Sequence, residues 1–316
     1  MMDRIALSVS PLRDARPQQI VDWGREAERR GFDGVFIPES FNDSLAYAQA
    51  VAQATERIAV GTAITNVYLR YPTLLAQQAA AVQEFSGGRF VLGLGVGHGA
   101  VNSSLGIDMG SPAEKIRAIV ETLRTAWVKG PHQPRPETPP RLFAAALAPG
   151  MVRLVGEIAD GVIFNLFPIA RYPKALAWLH EGAARGGRGA DAVEVCHFTT
   201  CYLGDDLAAC LHQAKRMLAR YANLPFYGNM LADAGFADDV AAVRAAWKAK
   251  DVATAEAAVS DAMADAVTLA GDADRCRARL REYQAAGAQR AIVFPNPVGE
   301  SRAAATQRAL EAFGAP

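Results

Sequence analysis

The chain has 316 residues, 51% of them hydrophobic and 21% charged, with 33 basic and 33 acidic side chains. That length fits one large domain or two ordinary ones, and so much apolar material excludes a disordered chain. Balanced charge leaves no basic surplus to meet phosphates, so no nucleic-acid partner is expected. No run reaches 18 apolar residues and the start Met1–Arg4 leads into only a short apolar segment, so neither a membrane partner nor a secretion signal is expected, and the location is read as cytoplasmic.

In chain order, short runs rich in Val, Ile and Phe alternate with longer stretches of helical spacing. The runs are Arg4–Val9, Asp33–Pro38, Arg57–Ile64, Arg89–Gly95, Arg141–Leu147, Ala159–Asn165, Val193–Leu203 and Arg290–Pro295. Their near-continuous hydrophobicity suits parallel strands covered on both faces by helices. Pro17, Pro72 and Pro112 each sit where a helix can open, and Gly31 follows the first as a stop. Eight strands alternating with helices predict an α/β fold, a (β/α)8 TIM barrel; a doubly wound sheet is the alternative, because strand count does not prove closure. Lys129–Pro140, with five prolines, reads as an extended loop. Residues 205–274 are Ala-rich and helical in spacing, and read as an insertion between the seventh and eighth strands, above the barrel mouth. With no flexible linker around it, residues 1–316 read as a single domain.

The four cysteines, Cys196, Cys201, Cys210 and Cys276, form no C-x-x-C pair and read as small buried hydrophobes. In such a barrel the chemistry gathers at the C-terminal ends of the strands. That rule selects Ser8 and Ser10, Glu39 and Ser40, Thr65 and Asn66, then Gly97, His98 and Asn102, the Ala146–Gly150 turn, and Asn165. Gly95, Gly97 and Ala100 satisfy a dinucleotide-binding spacing, but the following Asn102–Gly106 reads as loop and opens no helix to hold a pyrophosphate, so that reading is set aside. His98 stands among glycines where it could move a proton near neutral pH. Glu39 and His98 are too few ligands to propose a metal. Pro149 opens a helix whose first N–H groups could face a phosphate, although an ordinary strand-to-helix turn would look the same.

The run Gly61-Thr-Ala-Ile-Thr-Asn-Val-Tyr-Leu-Arg-Tyr-Pro72 resembles the third-strand motif of the bacterial luciferase-like superfamily, and more narrowly of its branch that uses the deazaflavin coenzyme F420. Gly31–Glu39, Ser86–Gly97 and Ala144–Asn165 are similar to further blocks of that family, in the same order, over roughly residues 4–170. The resemblance implies an eight-stranded barrel, a homodimer, and a cis peptide at Ala63–Ile64 forming a bulge behind a flavin-like ring. It also implies that Ala63, Ile64, Thr65 and Asn66 line that ring, together with Ser40, Gly97 and His98 at the neighbouring strand ends. Ala146, Leu147, Ala148, Gly150 and Met151 match the stretch that holds the cofactor phosphate.

The match departs at the chemistry. Relatives carry an acid and a catalytic histidine after the second strand, where this chain has Glu39-Ser40; some place a glutamate after the fourth, about where His98 stands. The expected catalytic residues are therefore His98 and Glu39, with Asn102 and Asn165 contacting substrate. The expected activity is that of an oxidoreductase passing hydride between F420 and a small organic substrate. The alternative is an FMN-dependent monooxygenase using reduced flavin and oxygen; a non-catalytic flavin-binding protein is a third reading.

Overall fold

A computed structural model describes residues 4–11, 15–39, 42–129 and 135–315. The first half of the chain runs β1 (Ile5–Ser8), α1 (Pro17–Arg29), β2 (Gly34–Ile37), α2 (Ser44–Ala54), β3 (Ala59–Thr62), β4 (Thr65–Asn66), α3 (Pro72–Phe85), β5 (Phe90–Gly95), α4 (Gly99–Ser104), α5 (Pro112–Lys129) and β6 (Arg141–Ala145). The second half runs α6 (Pro149–Ile158), β7 (Gly161–Asn165), α7 (Tyr172–Arg185), β8 (Glu194–Leu203), α8 (Leu207–Asn223), α9 (Pro225–Leu231), α10 (Ala237–Lys248), α11 (Val252–Ala257), α12 (Asp261–Val267), β9 (Leu269–Gly271), α13 (Ala273–Ala286), β10 (Arg290–Pro295) and α14 (Arg302–Phe313).

Every pairing is parallel, and β10 pairs with both β1 and β8, so the sheet closes into an eight-stave barrel and a doubly wound sheet is excluded. The third stave is divided: β3 ends at Thr62, the Ala63–Ile64 peptide is cis, and the chain resumes pairing with β5 as β4. Prolines open α1, α3, α5 and α6 at the first helical turn, where a missing N–H costs nothing.

Two details differ from the sequence reading. A short helix, α4, does open after Gly97, capped by His98; Gly, Asn and Ser are poor helix formers, so its six residues gave no periodic signal. The segment 205–274 holds α8–α12 and also β9, whose three residues pair with the overhanging end of the ten-residue β8.

Side chains alternate along the staves. Ala6, Phe36, Val91, Phe143, Ile163, Cys196, Phe198 and Ile292 fill the bore, and the opposite faces join the larger core beneath the helices. The N-terminal end of the bore is closed by charge. Arg290 pairs with Asp33 at 2.9 Å and Glu194 at 3.1 Å, and Glu194 also meets Arg4 at 3.0 Å and Arg141 at 2.7 Å. The Arg290 guanidinium lies 5.4 Å from the Phe36 ring centre, capping the apolar column above it. All four cysteines are free and buried. No helix among the described residues is long and apolar enough to cross a membrane.

On the outer face of β8, His197 is fully buried, with Nδ1 2.9 Å from the Tyr172 hydroxyl and its ring stacked 3.8 Å from that of Tyr283. Burial pushes its pKa down to about 3 from the ordinary 6.5. The unfolded chain therefore binds this proton first as pH falls, so stability is complete above about pH 6.5 and is lost between there and about pH 3, at roughly 1.4 kcal/mol per pH unit. His98, lowered in the same direction by burial, adds to the loss. Denaturant melts of His197→Gln between about pH 4 and 6 are expected to lose about one proton of that slope relative to the native chain.

Candidate functional site

The site is built on the C-terminal rim of the barrel, from the residues that terminate β1, β2, the divided third stave, β5 and β7. Glu39, just past β2, anchors the rim. Its carboxylate accepts from the Ser44 N–H and hydroxyl at 3.3 and 3.0 Å, from the Asn66 N–H at 2.7 Å, and from Arg70 at 2.7 and 3.0 Å. The Glu39 side chain is only 2% exposed. Arg70 also reaches Asp43 at 2.7 Å, the residue that caps α2. A carboxylate so fully supplied with donors holds the surrounding backbone in place.

From Glu39 the network runs along β4. The Asn66 amide donates to Asn102 Oδ1 at 2.9 Å and its oxygen accepts from the Tyr68 N–H, while Asn102 Nδ2 donates to the Val96 carbonyl at 2.8 Å. The Asn102 N–H donates to the His98 carbonyl at 2.9 Å, so the same asparagine fixes the turn that carries His98. Gly97 makes this possible. Its φ is +63°, and a Cβ there would stand 2.6 Å from Asn66 Nδ2. Gly95 lets the bulge approach, since a Cβ on it would lie 2.5 Å from Ile64 Cγ1.

These bonds redistribute the expected roles. Ala63 is buried and packs with the bore, and Ile64 lies half-buried against it. Thr65 spends its hydroxyl on Ser44 at 2.8 Å and Asn66 its amide on Asn102 and Tyr68, so both side chains are committed within the protein rather than free to edge a ring. Asn102 is fully buried with both ends of its amide taken, a framework position rather than a surface offered to substrate. Ser40 lies outside the described residues. Ala146 donates its N–H to the Ile163 carbonyl at 3.3 Å, Leu147 is half-buried, and Ala148 is the extended cap of α6 with no side chain to meet the first N–H groups. Gly150 and Met151 follow, and a Cβ on Gly150 would meet nothing within 4 Å, so that helix start is open. Beside it runs a groove of about 240 Å³ carrying Arg117, Arg153 and Arg185 against Glu114 and Glu157.

His98 and Asn165 remain as the exposed chemistry. Among the described residues no hydrogen-bond partner meets the His98 ring, which lies edge-on to Tyr221 at 5.6 Å and 6.2 Å from the Tyr227 ring. Burial lowers its pKa, so the imidazole is neutral at pH 7. Asn165 Nδ2 donates to the Tyr227 hydroxyl at 2.9 Å. Tyr221 and Tyr227 pack edge to face at 4.9 Å and, from α8 and α9, form an aromatic roof over the rim. Three polar atoms at this end of the bore are buried with no partner among the described residues: Ser8 Oγ, Ser10 Oγ and Asn165 Oδ1. Leaving such groups unmet costs about 1–3 kcal/mol each, so a polar ligand entering the mouth would find donors and acceptors to meet. Tyr221 and Tyr227 have the same helical spacing whether they pack a core or cover a mouth, so the sequence alone does not single them out. The strand-end rule, by contrast, picks out the serines, His98 and Asn165.

A family model described as luciferase-like monooxygenase matches residues 2–290. The chain is 29% identical over 316 residues to a 5,10-methylenetetrahydromethanopterin reductase of Methanolobus tindarius, covering 94% of each chain. It is 28% identical over 319 residues to a putative coenzyme F420-dependent oxidoreductase of Mycobacterium tuberculosis, covering 88% of this chain and 90% of that one. Among solved structures, the coenzyme F420-dependent tetrahydromethanopterin reductase of Methanopyrus kandleri superposes with a TM-score of 0.79 at 24% identity, over 99% of this chain and 98% of that one.

The two expected catalytic residues thus differ in what their removal does to the fold. Glu39→Ala leaves the Asn66 N–H unmet and Arg70 with Asp43 alone, and is expected to cost about 1–3 kcal/mol in denaturant melts. His98→Ala, which breaks no hydrogen bond of the described residues, is expected to change stability by less than about 1 kcal/mol.

Proposed function

The chain belongs to the luciferase-like monooxygenase family, and from that footing we propose that it is an oxidoreductase that binds the deazaflavin coenzyme F420 at the barrel mouth and acts on a small organic substrate beneath the aromatic roof. The observation that carries this reading is the set of buried, unmet polar atoms, Ser8 Oγ, Ser10 Oγ and Asn165 Oδ1, on a rim that also presents His98. Such a combination of apolar walls and a few convergent polar groups suits a flat heterocycle with polar edges. The choice of deazaflavin is supported by the relative named for that coenzyme.

The residues present fit the group. Ser8 and Ser10 offer hydroxyls to its polar edge, Ala63 and Ile64 an apolar surface to one face, and Gly95 and Gly97 bare backbone beside it. The open start of α6, at Gly150 and Met151, offers N–H groups to a phosphate, with Arg117, Arg153 and Arg185 in the adjoining groove. Bound there, the deazaflavin supplies two-electron hydride chemistry. Glu39 acts as a positioning residue, holding Asn66 and through it the turn that carries His98. The neutral His98 imidazole takes a proton from substrate in the oxidising direction and returns it in the reducing one. Tyr221 and Tyr227 keep water from the reacting atoms.

Fluorescence titration of the cofactor-free protein with F420 and, separately, with FMN tests the reading. Tighter binding of F420 is expected. Preference for FMN would move the protein to the oxygen-using branch of the family, to be checked by oxygen uptake, and binding of neither would defeat the proposal. Because burial lowers the His98 pKa, the base form fails only below the ordinary value of 6.5. Turnover in the oxidising direction is therefore expected to fall as pH drops through that lowered pKa. His98→Gln is expected to remove the acid limb and depress turnover by about 10²–10⁴-fold while leaving F420 affinity within a few-fold.

A further inference from the structure

Asn165 and Tyr227 meet across the gap between barrel and roof, and their bond leaves hydrogen-bonding capacity unspent on both sides. Asn165 Nδ2 donates to the Tyr227 oxygen at 2.9 Å, Asn165 Oδ1 is buried without a partner, and among the described residues nothing accepts the Tyr227 hydroxyl proton. Turning the amide over exchanges the roles and keeps the sum: an Asn165 N–H is then the spare donor and the Tyr227 oxygen the spare acceptor. In either orientation one donor and one acceptor stand side by side. The main chain is arranged to hold them so. Leu166, immediately after Asn165, adopts a φ of +50°, a left-handed conformation rare for a branched side chain, and is nonetheless buried. It turns the chain at the very end of β7, next to the fully buried Phe167. Opposite, α9 begins at Pro225 and is followed by a kink at Gly235, where φ is +105°, so the roof segment has a defined break at each end. Burial pushes the Tyr227 phenol up, so it stays protonated.

We propose that the Asn165–Tyr227 pair is the specificity element of the site, and that it selects substrates presenting an N–H next to a C=O, a lactam or carboxamide edge, with the rest of the molecule lying against the rings of Tyr221 and His98. The substrate N–H fills the spare acceptor and its carbonyl fills the spare donor, closing a cyclic pair of hydrogen bonds. A ligand with only the carbonyl leaves the buried acceptor unmet. Sites built to hydrogen-bond a group discriminate strongly against analogues that lack it, for that reason. The inference rests on the reading that this rim is the substrate site of an oxidoreductase.

The test is a binding measurement. δ-Valerolactam and δ-valerolactone have the same ring size, and only the first carries the N–H. Their affinities are compared by ligand-observed NMR titration on the protein saturated with F420, whose own uptake is read first by fluorescence. The lactam is expected to bind about tenfold more tightly than the lactone to the native protein, a difference of about 1.4 kcal/mol. Tyr227→Phe, which keeps the ring, and Asn165→Ser are each expected to weaken lactam binding by about tenfold. Equal binding of the two rings to the native protein overturns the inference, even if neither variant folds; so does an undiminished lactam affinity in Tyr227→Phe. Protein that takes up F420 and ranks the two rings equally loses this inference alone. Protein that takes up neither F420 nor FMN loses the functional reading instead, and the same pair of rings, titrated on the cofactor-free chain, still decides the role of Asn165 and Tyr227.

Discussion

The rim of the barrel hangs on one carboxylate. Glu39 lies at the point where β2, the divided third stave and the start of α2 converge, and its two oxygens serve all three. A buried negative charge is tolerable only when it is matched, and here Arg70 matches it while the Asn66 and Ser44 N–H groups complete its hydrogen bonding. The consequence travels outward by contact. Asn66 is fixed, so Asn102 is fixed; Asn102 holds the Val96 and His98 carbonyls, so the backbone that carries the His98 ring is fixed as well. The histidine needs no partner of its own because its backbone is already decided.

The two ends of the barrel treat charge in opposite ways. At the N-terminal end Arg4, Arg141 and Arg290 face Asp33 and Glu194 in a set of ion pairs. At the C-terminal end the ion pair of Glu39 and Arg70 sits behind the surface, and what faces the bore is hydroxyl, amide, imidazole and phenol. Neutral groups with spare hydrogen bonds bind and orient neutral or weakly polar ligands; charged plugs close a column.

Much of this was legible from residue order. The eight staves announce themselves because parallel strands buried on both faces must be apolar along their whole length, and Phe90–Gly95 or Arg290–Pro295 can be nothing else. The rule that barrel chemistry gathers at strand ends then places Ser8, His98 and Asn165 at the mouth. The rest depends on contacts that sequence distance hides. Glu39 reads as a catalytic residue beside His98, and nothing local reveals that Arg70, 31 residues on, is bound to it. Thr65 and Asn102 read as ligand contacts until their partners, Ser44 and Asn66, came into view. β9 is too short for any periodicity to register, and Tyr227 has the same helical spacing whether it packs a core or covers a mouth.

β9 gives the roof its attachment. The chain leaves the sheet at Gly204 and re-enters it at Leu269, and the far ends of the two strands are joined by a hydrogen bond of 2.9 Å from the Gly204 N–H to the Gly271 carbonyl. Everything from α8 to α12 is therefore a crossover between two parallel strands, leaving the end of β8 and re-entering at the start of β9. Closure of a long segment depends only weakly on its length once its ends are pinned. The pinned pair of strands makes the cover of the mouth a separate crossover: what lies between Gly204 and Leu269 sets the shape above the rim, while the staves, the bulge and the histidine turn are built from other parts of the chain.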